Sequence, residues 1–365
     1  MRIAQVAPLF ESVPPQLYGG AERVVSYLTE ELVDLGHRVT LFASGDSLTA
    51  AELSAGCAKA LRLGGSVPAA EQAHDAMLAQ VFERRDEFDV IHFHVPDWQR
   101  REPRLLTTSH VTTVHSALDT PAMRALYAHP ELRLISISDA QRRPLPRADW
   151  LGTVYHGLPD GLYRPRYEHG SYLAFLGRIT PRAGVDRAIE IARRFGMPLK
   201  IAAKVDSEDY RYYLSIRHLF REPFVEFIGE VNEAQKSELL ASAHALLFPI
   251  DWPEPFGLSL IESMASGTPI IAWRDGSVPE LLDQGVTGFV VHSVEGAVAA
   301  LSRIDQLDRR QVARAAWQRF AARRMARDYL RLYARSIVRD LTVPALLESR
   351  GAQGMELGSR AAVGE

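Results

Sequence analysis

Apolar residues along this chain recur in two alternating rhythms. Short runs such as Arg2–Ala7, Arg38–Ala43, Phe88–His94, Val111–Val114, Leu132–Ile137 and Gly152–Tyr155 read as buried strands. Between them, Val24, Leu28, Leu32 and Leu35 return at helical spacing over Ala21–Leu35, and Gly36 stops that helix. Gln72–Arg84 repeats the helical pattern, whereas Ala51–Gly65 follows neither rhythm and is left unassigned. Parallel strands need a crossover connection, so strand and helix in alternation imply βαβ units and a parallel sheet.

The rhythm lapses once, over Pro159–Gly170, where proline, glycine and charge mark a linker. It then resumes with strands at Tyr172–Leu176, Leu199–Ala203, Phe224–Ile228, Ala245–Phe248, Ile270–Ala272 and Gly288–Val291. Helices are predicted over Val185–Phe195, Asp206–Phe220, Glu233–Leu240 and from Phe256 to Gly267. A last helix, Arg319–Asp340, carries Met325, Tyr329, Leu332, Tyr333 and Ile337 along one side, with Pro344 as its stop. The fold class is α/β, with two Rossmann-like domains, and Ala345–Glu365 is expected to be a mobile tail.

Composition narrows the partners. The 365 residues are 47% hydrophobic, enough for two cores, and the formal net charge of -3 gives no support for a nucleic-acid partner. Cys57 is the one cysteine, which rules out an internal disulfide or a cysteine-based metal cluster. The apolar start Met1–Pro8 is too short for a targeting peptide and is broken by Gln5 and Pro8, so it reads as the first strand. No stretch approaches the roughly 18–20 apolar residues of a membrane span, and a cytoplasmic protein is expected.

The candidate chemistry gathers around Asp251-Trp-Pro-Glu254-Pro-Phe-Gly257-Leu-Ser-Leu-Ile-Glu262. Pro253 and Pro255 stiffen the loop that carries Glu254. Phe256, Leu260, Ile261 and Met264 then follow a helical spacing. A loop carboxylate is thus set beside a helix N-terminus, whose N–H groups favour an anion, with Glu262 two turns further on. Carboxylates accept from paired hydroxyls, so phosphate and polyol together suit this set: a nucleotide-sugar. Tyr18-Gly19-Gly20-Ala-Glu22, between a strand and a helix, also lies where ligands bind in open parallel sheets, and it is not a G-x-G-x-x-G dinucleotide turn. His115 ends the strand Val111–Val114 on the same kind of rim. Gly177-Arg178 through Arg182-Ala183-Gly184 places cations between a strand and a helix start, as a pyrophosphate requires. His92 and His94 alternate on one strand, with a metal pair and a packing or cleft-lining role as the two readings.

Glu254 and Glu262, within the string EPFGLSLIESMASGTPIIA that continues to Gly276 and Glu280, resemble the E-x7-E signature of retaining glycosyltransferases of family 4. The resemblance runs from about Met1 to Asp340 and is strongest between Gly177 and Val291. It implies the GT-B architecture: an acceptor domain over 1–160, a nucleotide-sugar donor domain over 161–320, a crossover helix over 321–343 and a tail over 344–365. It also implies catalytic roles for Glu254, His115 and Arg178. The donor would be held by Gly19, Gly20, Arg178, Arg182, Lys204, Gly229, Glu230, Val231, Glu254, Pro255, Phe256, Gly257, Leu258 and Glu262. No metal or cofactor is implied. The acceptor would be a small molecule, a glycan or a lipid-linked hydroxyl, with transient membrane contact for a lipid. His156-Gly157 resembles the interdomain turn of the family and marks the hinge. The chain departs from the family pattern at Ala183, where a lysine is usual. Arg182 or Lys204 is then left to compensate, and the alternative reading is a weak or silent sugar-nucleotide binding protein. A sugar-nucleotide epimerase is the other alternative from the same architecture.

Overall fold

The computed structural model describes residues 1–63 and 67–359. Residues 64–66, at the end of the unassigned stretch, and 360–365, in the expected tail, lie outside the described residues. Strands β1 (Arg2–Val6), β2 (Arg38–Ser44), β3 (Glu52–Cys57), β4 (Val90–Phe93), β5 (His110–Thr113), β6 (Leu134–Ser136) and β7 (Trp150–Thr153) form a first sheet. Its order is β3-β2-β1-β4-β5-β6-β7, and the pairings are parallel. A second parallel sheet comprises β8 (Leu173–Arg178), β9 (Leu199–Lys204), β10 (Val225–Gly229), β11 (Ala245–Phe248), β12 (Ile270–Trp273) and β13 (Gly288–Val291). Its order is β10-β9-β8-β11-β12-β13. In each sheet the strand order reverses direction beside the first strand, so the chain leaves a crevice at the carboxyl ends there, where ligands bind in such folds. The expected pair of Rossmann-like sheets is therefore present.

Buried strands explain the unbroken apolar runs. Val90, Ile91 and Phe93 in β4 and Ala245, Leu246 and Leu247 in β11 are inaccessible on both faces because helices cover them. β3, unassigned from sequence, is an edge strand with no fully buried residue; its Ser-Ala-Gly-Cys segment gives no apolar run to detect.

Three helix expectations are corrected. Asp206–Phe220 is not one helix: a single short helix spans Tyr210–Ile216 and a separate 3-10 turn spans Leu219–Arg221. Tyr212, Tyr213, Ile216 and Phe220 pack inward from this broken surface, so the aromatic pattern arises without a continuous helix. The last helix begins at Ala322 rather than Arg319, and a separate helix, Arg309–Arg319, precedes it. Between them the backbone pairs with the other crossing of the chain: Leu158 donates to the Phe320 carbonyl at 2.7 Å and accepts from the Ala322 N–H at 2.8 Å. Those bonds replace helical ones and break the helix at Phe320. The last helix also passes Pro344 without ending, since an interior proline removes one hydrogen bond and need not end the turns around it.

The two crossings lie side by side. A Cβ on Gly157 would stand 2.6 Å from the Ala321 carbonyl oxygen, so only glycine allows this approach. Arg324, in the last helix, donates to the carbonyls of Tyr155 and His156, both at 2.8 Å. Tyr329 and Tyr333 of that helix are fully buried against the first sheet. The helix thus returns from the second sheet to seal the first.

Further tethers span the crevice. Glu280 accepts from the backbone N–H groups of Asp139 and Ala140 at 2.8 and 2.6 Å and from the Tyr155 hydroxyl at 3.0 Å. At that turn the Ser138 side chain accepts from the Gln141 N–H and caps the short helix, while Asp139 accepts from Thr153. Arg182 reaches Asp119 at 3.0 Å and Arg62 reaches Glu230 at 3.3 Å, both between the halves.

Candidate active site

A cavity of about 740 Å³ lies between the two sheets, walled by both halves of the chain. From the first half come Tyr18, Gly19, Gly20, His115 and His156; from the second come Arg178, Lys204, Glu230, Glu254 and Glu262. Arg182, Val231, Pro255, Phe256, Gly257 and Leu258 also line it. Of the expected set, Gly229 does not: it ends β10 with a positive φ of 83°, and its successors Glu230 and Val231 form the wall instead.

The wall around Glu254 follows from its loop. Trp252 and Pro253 lead out of β11, and helix Leu258–Ala265 starts directly after Gly257. Gly276 supports this loop from behind: its φ is 50°, and a Cβ there would meet the Glu254 backbone nitrogen at 2.4 Å. The Glu254 carboxyl accepts from the N–H groups of Phe256 and Gly257, the same donors expected around the sugar and diphosphate. Burial nevertheless pushes its pKa up to about 7, against the opposing pull of Arg178 and those N–H groups. Glu254 is thus a carboxyl close to its protonation midpoint at neutral pH, at the cavity wall beside a cation.

The cations sit on adjacent strand ends. Arg178 and Lys204 are register partners across β8 and β9, so both side chains leave the sheet at one rim. Asp206 holds the pair, 2.6 Å from Lys204 Nζ and 3.9 Å from Arg178. Arg182 is occupied elsewhere, between Asp119 and the face of Trp252. Ala183 lies on the cavity wall, packed against the second core.

Glu262 is buried and paired with Lys236, whose Nζ stands 2.5 Å from Oε1. Lys236 also meets Glu233 at 3.1 Å, and Glu233 is bound in turn by Arg23 and the Tyr163 hydroxyl. Two acids and two bases alternate here, an arrangement that compensates the burial of each charge. Sequence reasoning missed Lys236, Arg23 and Glu233. The spacing Glu233-x-x-Lys236 is visible, but nothing in it distinguishes a buried pair from a surface one. Removing one member strands the others: Glu262→Ala is expected to lose about 3–5 kcal/mol of stability, read from its melting curve. Glu262→Gln keeps the shape and removes only the charge, so a smaller drop in melting temperature is expected for it.

His115 reaches the cavity with His156 stacked beside it, ring centroids 5.6 Å apart. Burial holds the pKa of His115 down at about 4, so it is neutral at physiological pH. The metal reading of His92 and His94 fails on hydrogen bonding. His92 uses both ring nitrogens, on Tyr333 and Thr113, and His94 uses both, on His115 and Gln5, so neither offers a lone pair to an ion. No helix among the described residues is long and apolar enough to cross a membrane.

Two family descriptions match the chain in tandem: Glycosyltransferase Family 4 over residues 18–162, and Glycosyl transferases group 1 over 164–324. The phosphatidyl-myo-inositol mannosyltransferase of Mycolicibacterium smegmatis is 28% identical, over 86% of this chain and 88% of its own length. Among solved structures, a glycosyltransferase involved in avilamycin A biosynthesis superposes with a TM-score of 0.70 at 25% identity, covering 92% of this chain and 98% of that one. An Anabaena protein solved in complex with UDP and glucose shares the fold, with a TM-score of 0.67 at 19% identity over 92% of this chain and 99% of that one.

Proposed function

We propose, from the premise that this chain belongs to glycosyltransferase family 4 and transfers sugar from a nucleotide-sugar, that it is a retaining hexosyltransferase using a UDP-sugar. The single observation that carries the reading is the shared cavity: Glu254, the start of helix Leu258–Ala265 and the Arg178–Lys204 pair line one space together with His115 of the opposite half. Residues 1–160 would then hold the acceptor and 161–320 the donor, with the helix over 321–343 joining them. Glu254 takes sugar hydroxyls, and Glu262 takes ribose hydroxyls with the oxygen that Lys236 leaves. Gly19 and Gly20 let backbone approach the phosphates, and Glu230 and Val231 border the base.

In the proposed reaction the bond from the anomeric carbon to the diphosphate oxygen breaks first. The acceptor oxygen then bonds to that carbon on the same face, and its proton passes to the departing phosphate oxygen. Arg178 and Lys204 hold the negative charge that develops there, a task protein cations perform without a metal ion. Closure of the two halves excludes water from the reacting carbon.

The acceptor reading rests on the relatives named for transfer to phosphatidyl-myo-inositol, which supports a polyol hydroxyl on a lipid headgroup as the first class to assay. The test incubates the full chain with UDP-, GDP- and ADP-sugars, with and without phosphatidylinositol vesicles. Sugar transfer to the lipid from a UDP-sugar is the expected result. Transfer from another nucleotide alone overturns the UDP assignment. An altered sugar formed without any acceptor favours an epimerase.

A further inference from the structure

Three histidines near the crevice, His115, His94 and His92, form a chain whose hydrogen-bond directions can be worked out atom by atom. His115 Nε2 is 2.9 Å from His94 Nδ1, and His94 Nε2 is 2.8 Å from Gln5 Oε1. The Gln5 amide nitrogen donates to the Tyr333 hydroxyl at 3.1 Å. Tyr333 lies 2.7 Å from His92 Nδ1, and His92 Nε2 lies 2.7 Å from Thr113 Oγ1, which meets the Tyr329 hydroxyl at 3.0 Å. Gln5, His92 and His94 are almost wholly buried, as are Thr113, Tyr329 and Tyr333.

Burial holds His92, His94 and His115 well below their ordinary pKa, so each imidazole is neutral and has one donor and one acceptor nitrogen. The Gln5 carbonyl oxygen cannot donate, so His94 Nε2 carries the hydrogen. His94 Nδ1 is then bare and must accept, which places a hydrogen on His115 Nε2. His115 Nδ1 is left without a hydrogen, and no protein atom among the described residues is its partner. On the other side, the one hydrogen of Tyr333 goes to His92 Nδ1, since the oxygen already accepts from Gln5. His92 Nε2–H then donates to Thr113. Each bond along the chain then has one donor and one acceptor, and reversing the Gln5 amide reverses the tautomers of all three histidines together.

We propose that Gln5, His94 and Tyr333 are positioning residues that fix His115 in its Nε2–H tautomer, so that its Nδ1 presents a lone pair to a hydroxyl of the bound sugar. This rests on the donor-site reading above. The returning helix acquires a second purpose through it. Tyr333 bonds both the Gln5 amide and His92, so a helix that crosses between the halves is part of the network that fixes whether the cavity histidine accepts or donates. A donating Nδ1–H would offer the sugar hydroxyl a different partner, and the sugar would shift relative to Glu254.

Long-range nitrogen–proton NMR on protein carrying 15N-histidine reads the tautomer directly, in the full chain without substrate. The expected spectrum has an unprotonated Nδ1 and a protonated Nε2 for His115. Tyr333→Phe and Gln5→Met should each shift that signature toward a tautomer mixture. Turnover should fall on the order of tenfold, as for loss of one neutral hydrogen bond, with UDP affinity unchanged as the check on folding. A protonated Nδ1 in the wild type overturns the proposal, as does a signature that neither variant moves. Failure of the donor reading is separate: it appears as no binding of any nucleotide-sugar, whatever the tautomer.

Discussion

Replacing Glu254 with glutamine is expected to lower turnover by on the order of 10²–10³-fold, the size of one lost preorganised electrostatic contact, while making the ligand-free protein more stable at pH 8. The two effects have one cause. The folded-state pKa of Glu254 is raised to about 7 from an ordinary 4.5, chiefly by burial. A raised carboxyl binds more protons folded than unfolded between those two values, so stability falls as pH climbs through that window. Above pH 7 the full cost of holding the carboxylate is present. It amounts to about 1–3 kcal/mol once water in the open cleft is allowed for. Glutamine removes the charge and keeps an oxygen for the Phe256 and Gly257 N–H groups. The gain in melting temperature should therefore be present at pH 8 and vanish near pH 4.5. Wild-type turnover should fall as pH drops below 7, because the protonated acid accepts less well from sugar hydroxyls. Equal melting temperatures at pH 8, or retained turnover, would count against a strained carboxylate held ready for substrate.

The elements that position this site are the ones whose signals are local. β8, β11 and the helix Leu258–Ala265 announce themselves because each is an apolar run or stripe bounded by glycine or proline. The same holds for Gly19, Gly20, Arg178 and Glu254, since strand ends and helix starts in a parallel sheet face one crevice. What could not be read depends on contacts far apart in sequence. The break at Phe320 is made by Leu158, which no window around residue 320 contains. Lys236 acquires its meaning from Glu262, and Gln5 from Tyr333, 328 positions away. Glu280 illustrates a halfway case: the Gly276–Glu280 turn is visible, but its bond to the Asp139 and Ala140 N–H groups requires the opposite half of the molecule. Long-range pairing of polar groups leaves no periodicity, so pattern reading finds the frame and misses its couplings.

The vacancy at Ala183 sets up the second large effect. A departing diphosphate needs more than one positive charge, and two residues compete to supply the second. Arg182 is tied to Asp119 and stacked near Trp252, and moving it to the phosphates would break a contact between the halves. Lys204 already stands beside Arg178 on the neighbouring strand, and Asp206 steadies it from the outer side. Lys204→Met is therefore expected to cost turnover about 10–150-fold, equivalent to a charge-assisted hydrogen bond of roughly 1.5–3 kcal/mol. Arg182→Ala should cost no more than about threefold, in line with an exposed ion pair. The double variant Lys204→Met with Ala183→Lys tests the charge itself. Ala183 lines the same cavity, so a lysine there should restore part of the lost rate if the role is to neutralise the leaving group. Steady-state rates for the three proteins separate the possibilities. A deeper loss from Arg182→Ala than from Lys204→Met would transfer the role to the arginine. Nucleotide binding without transfer in wild type and double variant alike would make this chain a sugar-nucleotide binding protein, with Ala183 marking the loss of catalysis.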